Sequence, residues 1–306
     1  MLVRGTPSLA GTLFVRGTGL AAIAPAIVGY GLFAEAVVRA RAPLGLDGWS
    51  LTPVPFQLIG VAISIFLGFR NAACYERWWE ARKLWGALVN TSRTLTRQWL
   101  TLLRTDARNE AQAFQREAVR EIAGFAWSLK AHLRTETRND VAAPFFAADA
   151  FAGFRGDVLP AEVLLHMGRR LRDAVDKGWI DPAFVRAFDT SLTQLADILG
   201  GCERIKNTPV PLIYTAMTHR IEALYVSLLP FGLLTTTGEL TPAVVMFVAF
   251  CLRGLDEVGN QLEDPYETDP NDLPLEALAR RIEIDAAIAL GDPSPPVMRP
   301  IHGVLL

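Results

Sequence analysis

The 306-residue chain has only three cysteines, Cys74, Cys202 and Cys251, and four histidines, His132, His166, His219 and His302. The cysteines stand too far apart for a CxxC zinc or redox pattern, and an odd count does not build a disulfide framework. The histidines are scattered, so no His/Cys metal cluster is visible. The phosphate-binding GxxxxGK[ST] loop, the GxGxxG turn, the GxSxG nucleophile elbow and the HExxH zinc motif are all missing. The familiar routes to nucleotide, acyl-transfer and zinc chemistry are thereby removed. Charge is scarce as well. Only 20% of residues are charged, and 30 bases against 32 acids leave a net of −2, which gives no pull toward nucleic acid. Strand-type alternation persists nowhere, and neither an internal repeat nor a low-complexity segment is present.

What the chain has in quantity is apolar sequence. About half of it is hydrophobic, 51%, and the mean hydropathy is +0.24. Both are high for a soluble protein of this size and exclude extended disorder for most of the chain. The charges are segregated: residues 70–206 carry 21 of the 30 Lys and Arg together with 17 acids. Gly17–Ala34 and Leu51–Phe69 are uncharged runs of 18 and 19 residues. Roughly 20 residues at 1.5 Å each cover a bilayer core of about 30 Å. The first run continues apolar to Val38 without a small-residue cleavage site, which argues against a signal peptide. Two shorter uncharged runs, Ala223–Gly238 and Leu240–Leu252, sit back to back and extend into a membrane hairpin. Four membrane helices are expected. The ionisable residues inside the hairpin, His219, Arg220, Glu222 and Arg253, then have to face protein or water.

Basic residues of the short connections set the orientation. The 235–241 turn holds no Lys or Arg and belongs outside the cytoplasm, which puts both termini inside. Arg39 and Arg41 run against this but are outweighed by the basic flank that begins at Arg70. Residues 71–206 read as helix-rich. Trp78, Leu84, Trp85, Leu88, Leu95, Trp99 and Leu102 follow a period near 3.6, and Asn109–Leu133 and Ala161–Val175 are amphipathic in the same way. Ala142–Leu159, with its prolines and glycines, reads as an irregular connection.

A few residues carry chemistry worth weighing. Val61, Ile65 and Phe69 lie at i, i+4 and i+8 and share one side of a helix. Such a stripe either packs against a neighbour or lines a pore whose apolar rings gate by dewetting. Tyr75, Arg77, Trp78, Trp79 and Glu80 read either as interfacial anchors or as a network in which Arg77 pairs with an acid. The run EDPYETDPND, Glu263–Asp272, has five acids in ten residues and reads as a solvated acidic turn. Its carboxylates would also suit a hard cation, although the spacing is not that of an EF-hand. Gly200 and Gly201 let helices approach closely, and Cys202 beside them reads as a small packed residue rather than a nucleophile.

Three stretches together, FLGFRNAACYERWWEARKLWGALVN, LGGCERIKNTPVPLIYTAMTHR and EDPYETDPNDLPLEALARRIEID, resemble the bestrophin family, specifically its bacterial branch. They come in the family's order, and the similarity covers most of residues 15–290. The resemblance implies an all-α integral membrane protein that forms a homopentameric ion channel around one central pore. In this sequence it implies a cytosolic N-terminus at 1–16, two membrane helices in 17–70 and a cytosolic helical region at 71–206. Two further membrane helices would fill 207–260, and 261–306 would be a cytosolic C-terminal segment. The family's three neck positions fall on Val61, Ile65 and Phe69. Its cytosolic constriction falls on Ile180, with Ala183 as the competing register.

Animal members carry Phe at the middle neck position, where this chain has Ile65. An aromatic edge presents a positive quadrupole that favours anions, whereas an aliphatic ring lacks it. The family at large implies chloride, and bacterial members with such a neck are associated with cations. Asp269 and Asp272 match two calcium-clasp carboxylates, but Pro270 and Asn271 interrupt the acidic run. No firm metal site, no cofactor and no calcium gating are therefore expected. The expected function is passive conduction of small monovalent ions across the bacterial inner membrane, with lipid and further copies of the chain as partners and without catalysis. The alternative is a membrane-anchored scaffold or enzyme acting through residues 71–206, for which no convergent catalytic groups can be assembled.

Overall fold

A computed structural model describes residues 1, 19–41, 43, 52–105, 109–154, 159–301 and 303–305. Apart from Met1, the segment 1–16 lies outside the described residues. Ten α-helices are described: α1 (Leu20–Ala40), α2 (Pro53–Leu102), α3 (Asn109–Arg134), α4 (Arg138–Ala142), α5 (Ala148–Ala152), α6 (Pro160–Asp176), α7 (Val185–Asn207), α8 (Leu212–Thr237), α9 (Thr241–Glu263) and α10 (Leu275–Leu290). Among the described residues β-pairing is limited to the isolated bridges Leu103–Ile180 and Ile301–Val304. The all-α class is therefore found.

Local chemistry explains the helix boundaries. Helix α3 opens with Glu110 in its first turn and ends with Arg134 in its last, each charge opposing the helix dipole. Helix α6 begins with a proline, whose missing N–H goes unneeded at that position. The break between α8 and α9 falls at Gly238, at φ 53°, a backbone that residues with a Cβ adopt only under strain. Helix α2 is the surprise. It runs 50 residues without interruption, so the expected division at residue 70 falls inside a helix. After Pro55 no proline occurs until Pro144, so no proline interrupts the helix before its end at Leu102.

The described chain forms two compact units, which divide at Trp78/Trp79, Thr208/Pro209 and Asp264/Pro265. One holds α1, the first half of α2, α8 and α9. Its core is Ile23, Ile27 and Ala34 of α1, Phe56, Ile63 and Leu67 of α2, and Val226, Leu229, Val245, Ala249 and Leu252 of the last two helices. Three stretches are long and apolar enough to cross a bilayer, namely Leu20–Ala40, part of Pro53–Leu102, and Leu212–Glu263, the last broken by the turn at Gly238–Leu240.

The other unit holds the second half of α2 with α3 to α7 and α10. Its core is aromatic and aliphatic, with Trp85, Leu88, Phe125, Leu129, Phe188 and Leu195 fully buried. Trp99 stacks near Phe188 at 4.8 Å between ring centroids, and Phe114 meets Trp179 edge-on at 5.2 Å. The connection expected to be irregular contains a 3-10 turn at Ala143–Phe145 and the short α5.

Candidate functional site

Helix α2 buries one side and exposes the opposite one. Phe56, Ile63, Leu67 and Arg70 point into the core, whereas Val61, Ile65 and Phe69 are each more than half exposed. At about 100° per residue, Ile65 stands roughly opposite Phe56 on the helix. The three side chains form an apolar stripe about 12 Å long, at 1.5 Å per residue, and contribute no polar atom.

Behind the lower end of the stripe lies a buried polar network. The Arg70 guanidinium, with its side chain 0% exposed, donates from Nη1 to Asp256 Oδ1 at 2.7 Å and from Nη2 to Asn260 Oδ1 at 2.6 Å. Glu263 Oε2 accepts a further bond at 3.3 Å. Asn71 donates to the carbonyl of Leu255 at 2.8 Å. Gly259 permits this approach, since a Cβ there would stand 2.6 Å from Asn71 Oδ1. The other oxygen of Asp256 lies 2.8 Å from His219 Nε2, and Arg253 Nε lies 3.1 Å from Glu222. A buried cation of this kind persists only when paired and hydrogen-bonded. Of the hairpin's ionisable residues, His219, Glu222 and Arg253 thus face protein, whereas Arg220 is exposed.

The remaining candidate residues sit elsewhere. Ile180 is 1% exposed within the chain and its backbone bridges to Leu103. Ala183, in the competing register, is exposed. The acidic turn is not simply solvated. Asp269 is exposed, but Asp272 is buried and its Oδ2 accepts the Asp269 N–H at 2.7 Å. Burial pushes the Asp272 carboxyl up to about 7. That carboxylate is engaged with the turn's own backbone, and no group of three or more His, Cys, Asp or Glu able to hold a metal ion occurs among the described residues. Arg77 donates to the carbonyl of Glu263 at 3.1 Å, and Tyr75 stacks on Trp78. Cys202 is fully buried, and desolvation pushes its thiol up to about 12, which suits packing and opposes nucleophilic use. In the second unit the buried cations are matched with acids: Lys130 with Glu136 and Glu276 at 2.5 and 3.2 Å, and Arg170 with Glu117 and Glu121 at 3.1 and 2.7 Å.

The family of bacterial and fungal bestrophin proteins matches this sequence over residues 1–287. The chain belongs to the bestrophin family. A voltage-dependent anion channel-forming protein of Mesorhizobium japonicum, mll4386, is 39% identical over 98% of this bestrophin and 95% of its own length. The Escherichia coli K12 protein of the same description, YneE, is 35% identical over 93% and 92%. The crystal structure of a bacterial bestrophin homolog from Klebsiella pneumoniae superposes with a TM-score of 0.81 at 33% identity, covering 90% of this bestrophin and 99% of that chain. This bestrophin is accordingly a membrane protein.

Sequence reasoning found the bestrophin's exposed stripe but missed the Arg70 network. A signal was present. Asp256, Asn260 and Glu263 are spaced i, i+4, i+7 on α9, one polar helix face awaiting a buried cation.

Proposed function

We propose that this bestrophin conducts small monovalent ions passively, through a pore lined by Val61, Ile65 and Phe69 of α2 from five copies of the chain. It is a channel protein and not an enzyme. The observation that carries the lining assignment is the exposure of three large apolar side chains directly opposite the buried face of α2. Lipid would cover other exposed apolar residues of α2 such as Leu58 and Phe66, whereas around an axis this stripe makes three successive apolar rings that gate by width and wetting. Each protomer contributes four spans: α1, the first part of α2, α8 and α9. Residues 71–206 and 261–306 lie in the cytoplasm with both termini, in the bacterial inner membrane, and lipid covers the outer faces of the spans. The cytosolic constriction sits at Ile180, with Ala183, the exposed one of the two, as the competing register.

Selectivity has two readings, each with its own support. The relatives' description as anion channel-forming proteins favours anions. The aliphatic Ile65 ring, which offers no aromatic edge, favours monovalent cations. Purified protein in liposomes under a salt gradient decides between them by the sign of the reversal potential. Flux without substrate or energy is expected, and mass analysis of the detergent-purified complex should give five chains. Ile65→Ala removes three carbons per protomer and should raise single-channel current. Ile65→Phe should move the reversal potential toward the anion. An Ile65→Ala oligomer that assembles normally and conducts less would end the neck assignment.

A further inference from the structure

Helix α2 carries the neck stripe on one side and is seated on α8 by another. The seating is reciprocal. A Cβ at Gly60 of α2 would stand 2.7 Å from the Tyr225 hydroxyl of α8 and 3.3 Å from its Cζ. A Cβ at Gly232 of α8 would stand 2.5 and 2.6 Å from two ring carbons of Phe56 on α2. The two rings are themselves neighbours, with centroids 6.1 Å apart. Each helix therefore offers one aromatic ring and receives the other's at a position without a side chain. Small residues let membrane helices approach in this manner.

The geometry points to Gly60, Gly232, Phe56 and Tyr225 as positioning residues for conduction: their interlock sets how far α2 stands toward the pore axis, and with it the width of the neck. This rests on the neck assignment made above. Phe56 is buried and nine residues from Ile65, about 180° around the helix. A carbon–carbon contact relaxes at about 3.5–4 Å, so a methyl at residue 232 lacks roughly 1 Å of room. If the Phe56 ring stays in place, α2 moves away from α8, in the direction that Ile65 faces. An apolar constriction has no polar group to replace an ion's water, so a small loss of width is a large loss of current.

Single-channel recording of purified oligomers in planar bilayers tests this. Gly232→Ala is expected to lower the unitary current by more than half, and Gly232→Ala combined with Phe56→Leu to return it to near the parent value. A purely stabilising role would change the number of channels and not the current through each. Gly60→Ala, alone and with Tyr225→Phe, repeats the test from the other half of the interlock should Gly232→Ala fail to assemble. Unchanged unitary current in the alanine variants, or a loss that the paired substitution does not restore, overturns the inference. Ile65→Ala in the same bilayers separates the two readings. A raised current there with unmoved glycine variants retains the neck and removes the interlock, while silence at Ile65 as well removes both.

Discussion

Leu224 of α8 and Leu165 of α6 are both large, apolar and more than half exposed, yet their surroundings differ in kind. On the unit that holds Leu224, Ile213, Met217, Ile221, Leu228 and Phe247 are exposed as well. Around Leu165 on α6 the exposed residues include Arg169, Arg172 and Asp173. A single exposed leucine among charges is ordinary on any water-soluble surface. A contiguous apolar surface is not, and it marks a membrane or a partner. Inside, the two units follow one rule. Arg70 in the first and Lys130 in the second are buried with matching carboxylates, because a buried charge is tolerated only when paired, whatever lies outside.

The contrast can be broken most forcefully from within. Asp256→Ala leaves Arg70 buried without its nearer acid and should cost about 3–5 kcal/mol, read as loss of folded oligomer in a detergent thermal melt. A variant that melts like the parent would mean that water reaches Arg70. Next in size is a matched surface pair. Leu224→Arg should cost about 2.5–3.5 kcal/mol if residue 224 lies deep in lipid, whereas Leu165→Arg should fall within about 0.5 kcal/mol of the parent. Membrane-fraction yield and melting of the two proteins check this, and equal behaviour would erase the distinction between the units.

The smallest effect concerns pH. Asp272 has its pKa raised from 3.8 to about 7 by burial, so the folded state holds a proton that the unfolded chain releases. Its contribution is complete below about pH 4 and is lost as pH rises through about 7. Asp272→Asn keeps an acceptor for the Asp269 N–H without the titration. Melts between about pH 4 and about pH 7, the window between the unfolded and folded pKa, should slope downward for the parent and more gently for the Asn variant. Parallel slopes would remove Asp272 as the cause.

Much of this was legible in the sequence. The period predicts a helix over Asn109–Leu133, and α3 spans Asn109–Arg134, because amphipathic period and terminal charges agree there. The side of α2 that bears Val61, Ile65 and Phe69 was readable from spacing alone, since i, i+4 and i+8 must share a face. What escaped depends on distant partners. That Arg70 meets Asp256 is a property of how α2 and α9 pack, and no local window contains both. The burial of Asp272 likewise depends on the fold around its turn. At Ile180 no local window reveals that the backbone bridges to Leu103 or that the side chain is buried.

The pairing of Arg70 with Asp256 also dictates an order of events while the chain is being made. The two residues are 186 positions apart, so at translation rates of about 5–20 residues per second Arg70 emerges about 10–40 seconds before its acid exists. During that interval the arginine has no acid to pair with, and its charge has to stay hydrated. Only when α9 arrives can the guanidinium be drawn inward, and the side of α2 that bears it close. A nascent chain that stops short of residue 256 leaves that charge without its acid, so the side of α2 that bears it has to stay open to water.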